Sequence, residues 1–348
     1  MNIITPDLHQ LGWRPFFAQQ LTLEELNHFS VGRIIAHHRS RIIAACKVGE
    51  VILNQNSKHD KLCVGDWVLF DSLNNIIKRL DRYSIFERKS PGTKITNQLI
   101  AANIDSLVIV CALNQDFNLN RIERYIAIAH EAQVDPIVVL TKTDLCDDVA
   151  QKQSNVQALD PFMPIYALNA LDNTQLHCLE NHCQPNQTIA FLGSSGVGKS
   201  TIVNGLLGYQ ALETGSIRQD DGKGKHTTTH RALKFLPQGP ILMDTPGMRE
   251  LQLTQCQQGV NETFSEIIEL TQQCHFNDCQ HNQEPGCAVN KALIDGVLDE
   301  RRYNSYLKLQ KEQAFNSMSL SNRKANEKSF GKMIHRVQNE AKKRKRGQ

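Results

Sequence analysis

Eight consecutive residues carry the most specific chemistry in the chain. Gly193-Ser194-Ser195-Gly196-Val197-Gly198-Lys199-Ser200 matches G-x-x-x-x-G-K-[ST] in full. Glycines at this spacing let the backbone wrap a phosphate with its N–H groups turned inward as an anion nest. A helix opening at Lys199 adds the positive potential of its N-terminus. Lys199 is then expected to reach the β- and γ-phosphates of a nucleotide, Ser200 to bind Mg2+, and the Thr201 N–H to face the α-phosphate. The apolar run TIAFL before the loop and the helix-like STIVNGLLG after it supply the strand and helix such a loop needs.

Forty-four residues beyond Ser200, Asp244-Thr245-Pro246-Gly247 follows the apolar run ILM. This D-x-x-G suits Asp244 to hold Mg2+ through water and the Gly247 N–H to sense a γ-phosphate. Between the two motifs lies Gly222-Lys-Gly-Lys-His226-Thr227-Thr228-Thr229, glycine-rich, basic and rich in hydroxyls. It fits a switch loop whose threonine, Thr228 or Thr229, completes the Mg2+ shell in the triphosphate state. Ras-like enzymes place a water-orienting glutamine directly after D-x-x-G. Here Met248 stands there, and a thioether cannot align water. His226, an imidazole able to accept a proton near neutral pH, is the candidate for that task.

Thr141-Lys142-Thr143-Asp144 ends the run PIVVL and fits [NT]-K-x-D. Guanine presents N1–H and N2–H2 as neighbouring donors, and the Asp144 carboxylate can accept both. Adenine offers an acceptor at N1 and would meet two lone pairs. Lys142 is expected along the base face. The usual Ser-Ala helper after the next strand is replaced by Ala167-Leu168, which leaves that contact open. The base-reading motif precedes the phosphate loop, the reverse of the common order. A circularly permuted sheet brings the same loops together.

Cys274-x4-Cys279-x-His281-x5-Cys287 puts three thiolates and one imidazole within fourteen residues. That donor set closes a tetrahedral zinc site and leaves no open position, so the ion is expected to be structural, one per chain. The other seven cysteines are scattered and read as small packed residues.

TKTD, GSSGVGKS, GKHTTTH and DTPGMRE, in that order and followed by the cysteine cluster, resemble the RsgA (YjeQ) family of ribosome small-subunit-dependent GTPases. The resemblance covers nearly the whole chain. It implies binding to the small ribosomal subunit and its rRNA during late maturation, with GTP hydrolysis stimulated by the subunit. It also implies the zinc signature, the hydrophobic residue after D-x-x-G, and a role for the histidine of G-x-H-T-T-T. Two other classes remain open. One is an ATP-dependent P-loop enzyme, against which Asp144 argues. The other is an RNA-binding scaffold with GTP as a structural ligand, to which Met248 gives weight.

The elements that must position these residues fall into five stretches. Residues 1–30 form an N-terminal extension without a legible pattern. Residues 31–90 hold five short β-rich runs, GRIIAHH, RIIAACKV, EVILNQ, DWVLF and NIIKRL, punctuated by turn residues, the pattern of a small OB-like β-barrel. Residues 91–255 alternate strand and helix (SLVIVCAL, LNRIERYIAIAHEA, PIVVL, PIYAL, TIAFL, RALKFL, PILMD), which predicts an α/β P-loop GTPase domain with a mostly parallel sheet. Residues 256–320 read as a zinc-binding helical module, and 321–348 as a basic tail. That tail has ten Lys/Arg against two Asp/Glu, a net +8, leaving the preceding residues at −5. An acidic body with a basic end suits a polyanionic partner. With 40% hydrophobic and 22% charged residues the chain is neither wholly disordered nor fibrous. No apolar run approaches the ~20 residues of a membrane span, and the N-terminus lacks a basic-then-apolar leader. A cytoplasmic monomer is expected.

Overall fold

A computed structural model describes residues 7–38, 41–54, 61–89, 97–208, 231–235, 239–244 and 256–317 of the 348-residue chain. Five of the β-rich runs form β1 (Ser30–His37), β2 (Ile42–Cys46), β3 (Gly49–Leu53), β4 (Trp67–Phe70) and β5 (Ile76–Arg79). β1 pairs antiparallel with β2 and β4, β2 with β3, and β4 with β5. A bridge between Asn54 and Asn75 joins the end of β3 to the start of β5. The ring therefore closes in the order β1-β2-β3-β5-β4, an OB-like barrel. Ile34, Ala44, Leu53, Val68 and Ile76 fill its interior.

The stretch expected as an extension is built into this unit from Asp7 onward. A 3-10 turn (Leu8–Leu11), α1 (Pro15–Ala18) and α2 (Leu23–His28) follow one another. Thr22 and Glu25 form a capping box that starts α2. Leu11 and Phe17 are fully buried, and the Trp13 ring meets Trp67 of β4 edge-on at 4.8 Å. A buried Arg33 ties the parts together, donating to the Leu11 carbonyl (2.7 Å), the Asn103 carbonyl (2.9 Å) and Thr188 Oγ1 (2.8 Å). Burial pushes the Arg33 guanidinium below its ordinary pKa, and these acceptors are what make a buried cation tolerable there.

A hairpin, β6 (Ile85–Lys89) and β7 (Asn97–Ala102), straddles the expected 90/91 boundary. Next come β8 (Ser106–Ala112), α3 (Leu119–Glu131), β9 (Asp135–Thr141), α4 (Val149–Gln157), β10 (Ile165–Ala167), a 3-10 segment (Asn173–His182), β11 (Thr188–Leu192), α5 (Lys199–Leu207), β12 (Arg231–Phe235) and β13 (Ile241–Asp244). The strands order as β10-β9-β8-β11-β13-β12, parallel apart from β12, which runs antiparallel to β13. β8 is buried at every residue, as a strand covered on both faces must be, so its sequence is continuously apolar. α3 and the C-terminal helices cover one face, and α5 with the 3-10 segment covers the other. β12 also pairs with β1, Ala36 opposite Ala232 and His37 opposite Arg231, so the barrel continues the sheet.

α6 (Gln257–Thr263), α7 (Ser265–Gln272), α8 (Ala288–Ile294) and α9 (Glu300–Ser317) form the C-terminal module. α6 lies hard against α3: a Cβ on Gly259 would sit 2.0 Å from the Ala127 carbonyl oxygen. Glu123 of α3 is fully buried and pairs with Arg301 (3.0 Å) and Arg302 (3.1 Å), while Arg124 is held twice by Glu312 (2.6 and 2.7 Å). Removing one partner from such a buried network typically costs about 3–5 kcal/mol. Among the described residues, no helix is long and apolar enough to cross a membrane.

Candidate functional site

The phosphate loop leaves the carboxyl end of β11 and opens α5, the edge of a parallel sheet where ligands bind. Gly193, Gly196 and Gly198 take φ of 153°, 75° and 101°, turning the backbone as an anion nest requires. A Cβ on Gly193 would also strike the Val110 carbonyl of β8 at 2.2 Å, so no larger residue fits. Gly198 caps α5 without a side-chain bond, which leaves the first-turn N–H groups to a ligand. Ser195 and Gly196 are exposed at the mouth, Val197 is buried beneath it, and Ser200 and Thr201 lie half-buried in the first turn. The Lys199 ammonium folds back over the loop and donates to the Gly193 carbonyl (2.7 Å) and the Ser194 carbonyl. Arg121, from the first turn of α3, donates from Nη1 to Ser194 Oγ at 2.8 Å.

The base-reading motif closes on this loop. Thr141 is the last residue of β9 and is fully buried, and its hydroxyl donates to the Val197 carbonyl at 2.6 Å. Lys142 adopts a left-handed φ of 59° and a 3-10 turn carries Thr143 and Asp144 outward. Asp144 is exposed, with its carboxylate open to a ligand. At the end of β10 the structure differs from the simple reading of Ala167-Leu168. Leu168 is buried and its N–H donates to the Leu140 carbonyl, so it belongs to the core. The next pair is Asn169-Ala170, of which Ala170 is itself buried. Ala170 Cβ lies 3.7 Å from where a Cβ on Gly198 would be, and Asn169 is pinned by Gln175.

Asp244 ends β13, adjacent to β11 in the sheet. Gly247, Met248, His226, Thr228 and Thr229 lie outside the described residues.

The cysteine cluster sits in the loop between α7 and α8. Cys274, Cys279, His281 and Cys287 bring one donor atom each to within 4.8 Å of one another. His281 Nδ1 lies 3.6 Å from Cys274 Sγ and 3.4 Å from Cys287 Sγ, and the two sulfurs are 3.9 Å apart. With Zn–S bonds of about 2.3 Å, a tetrahedron sets its sulfurs about 3.8 Å apart, so the donor set fits one such ion. Cys287 doubles as the N-cap of α8, accepting from the Asn290 N–H. Of the remaining cysteines, Cys46, Cys63, Cys111 and Cys256 are buried, and burial pushes the Cys183 thiol up to about 12. They pack as small apolar residues.

A P-loop sheet whose guanine motif precedes its phosphate loop, with both converging at one edge, defines a circularly permuted GTPase. The comparisons agree. The family model described as RsgA GTPase matches residues 79–254. A protein of Vibrio parahaemolyticus described as small ribosomal subunit biogenesis GTPase RsgA 2 is 51% identical over 337 residues, covering 97% of this chain and 94% of its own. A protein of the same description from Listeria monocytogenes is 40% identical, covering 89% and 90%. The crystal structure of YjeQ from Thermotoga maritima superposes with a TM-score of 0.62 at 22% identity, over 82% of this chain and 98% of that one. That of YloQ, a circularly permuted GTPase, gives 0.56 at 21%, over 86% and 96%. The chain belongs to the RsgA GTPase family and is a GTP-hydrolysing enzyme.

Proposed function

We propose that this GTPase binds the small ribosomal subunit through its rRNA, assists late maturation of that subunit, and hydrolyses GTP to GDP and phosphate when the subunit stimulates it. The reading of the nucleotide site rests chiefly on one contact, the Thr141 hydroxyl on the Val197 carbonyl. It ties the guanine-reading loop to the phosphate loop although 56 residues separate them. The subunit reading draws on the relatives, whose descriptions name small ribosomal subunit biogenesis.

In this reading Gly193 to Gly198 and the Thr201 N–H cradle the phosphates, and Lys199 leaves the loop carbonyls to pair with them. Thr141 to Asp144 read the guanine. Ser200 and Asp244, joined by Thr228 or Thr229, would hold Mg2+, which neutralises phosphate charge. The Gly247 N–H answers to the γ-phosphate and His226 positions the water. Cys274, Cys279, His281 and Cys287 would hold one zinc, a purely structural ion that fixes the α7–α8 loop. The barrel of 31–90, the zinc module of 256–320 and the basic tail of 321–348 face RNA, and residues 91–255 turn over GTP. The protein works as a cytoplasmic monomer.

Single-turnover GTP hydrolysis with and without saturating small subunits tests this. Stimulation by the subunit is expected. His226→Ala is expected to lose about 10²–10⁴-fold of the stimulated rate with little change in GTP affinity. An unstimulated rate would remove the subunit from the reading. A wild-type rate in the variant would pass the water to another group.

A further inference from the structure

Arg121 is not accounted for by the helix it starts. It lies in the first turn of α3, behind the Asn118 N-cap, where a cation opposes the helix dipole. Its side chain reaches instead across to the phosphate loop. Nη1 donates to Ser194 Oγ at 2.8 Å and to the Asp116 carbonyl at 3.4 Å, both neutral acceptors. Lys199 holds the same residue from the other side, through the Ser194 carbonyl. Once a nucleotide binds, Lys199 shares its three N–H donors between these carbonyls and the phosphates. Arg121 has no such second partner in the phosphates and holds Ser194 by its hydroxyl alone.

The neighbours of Arg121 on α3 face the other way. Asn120 accepts from Arg301 at 2.7 Å, Glu123 pairs with Arg301 and Arg302, and Arg124 pairs with Glu312, all on α9. One turn of α3 thus joins the phosphate loop to the C-terminal helices.

We propose that Arg121 is a positioning residue of the phosphate loop, holding its Ser194-Ser195 rim in register with α3 and, through α3, with α9. Nucleotide affinity comes from the loop N–H groups, Lys199 and Asp144, none of which Arg121 contacts. Its effect therefore falls on the alignment of the transferred phosphate, and so on turnover. The inference rests on Gly193–Ser200 being the phosphate loop.

The test uses the full chain: single-turnover GTP hydrolysis and equilibrium GDP binding for Arg121→Ala, Arg121→Lys, Ser194→Ala and the Arg121→Ala/Ser194→Ala pair. Arg121→Ala and Ser194→Ala are each expected to slow hydrolysis about tenfold. GDP affinity of Arg121→Ala should stay within about twofold, and the double variant should be no slower than the worse single, because both remove one interaction. Arg121→Lys, which keeps charge and one donor, should fall between Arg121→Ala and wild type. An unchanged rate in Arg121→Ala, multiplying losses in the pair, or GDP affinity falling in step with rate overturns the proposal. If Arg121→Ala melts early, Ser194→Ala decides, since it leaves the guanidinium and the helix intact. Wild-type protein that binds no GDP would instead sink the phosphate-loop assignment itself.

Discussion

At Thr141 a single hydroxyl does structural work for two motifs. Buried at the end of β9, it donates to the Val197 carbonyl and sets the guanine loop against the phosphate loop. A serine could make the bond but would lose the methyl that lies 3.7 Å from where a Cβ on Gly198 would be. Beyond this buried anchor, Asp144 stands exposed with its two acceptor oxygens outward. Asp144→Asn turns one acceptor into a donor facing guanine's N–H. GTP affinity is expected to fall by about two orders of magnitude, and xanthine nucleotide to recover part of it. Competition binding with both bases measures this; equal GTP and GDP affinity in variant and wild type would take Asp144 out of the site.

At the scale of elements, the loop between α7 and α8 is mostly exposed. Its residues include two non-glycine positions of left-handed backbone, His281 and Gln283, and its four donors converge on one point. An ion bound there would hold the loop, and ion binding and local folding would then be one equilibrium. Metal analysis is expected to find one zinc per chain. Cys279→Ala should lose it and lower the melting temperature of the C-terminal helices, while GDP binding persists because the phosphate loop belongs to another part of the core. A folded wild-type protein without metal would contradict this. α3 is the opposite kind of element. It packs on α6 at Gly259 and binds α9 through Glu123 and Arg124, so the C-terminal module reports directly on its position.

Across the whole molecule, the barrel and the nucleotide sheet share a ladder through β1 and β12. β12 directly follows the segment that contains His226, Thr228 and Thr229 in sequence. A partner gripping the barrel therefore acts on a strand covalently continuous with the candidate switch. The charge division along the chain points the same way: −5 up to residue 320 and +8 beyond it. Contacts from Lys342 to Arg346 with RNA phosphates would release counterions, so binding should weaken steeply with salt. Deleting Lys342 to Gln348 is expected to flatten the slope of log affinity against log salt and leave intrinsic GTP hydrolysis unchanged. An unaltered slope would make the tail a solvated end.

The enzyme class was legible in short stretches of sequence. Motifs such as GSSGVGKS, TKTD and the cysteine cluster are local, because a loop that wraps a phosphate or an ion uses neighbouring residues whose types are dictated by what they bind. Their order along the chain was enough to imply permutation, and the apolar runs were enough to locate most strands. Only the tertiary structure decided what depends on contacts distant in sequence. Residues 7–29 lack periodicity because short helices contribute single anchors, Leu11 and Phe17, to a core made elsewhere. The pairing of β1 with β12, the closure of the barrel at Asn54 and Asn75, and the reach of Arg121 to Ser194 join residues from about twenty to nearly two hundred positions apart. No local pattern encodes such pairings, because they are set by how the packed layers bring surfaces together.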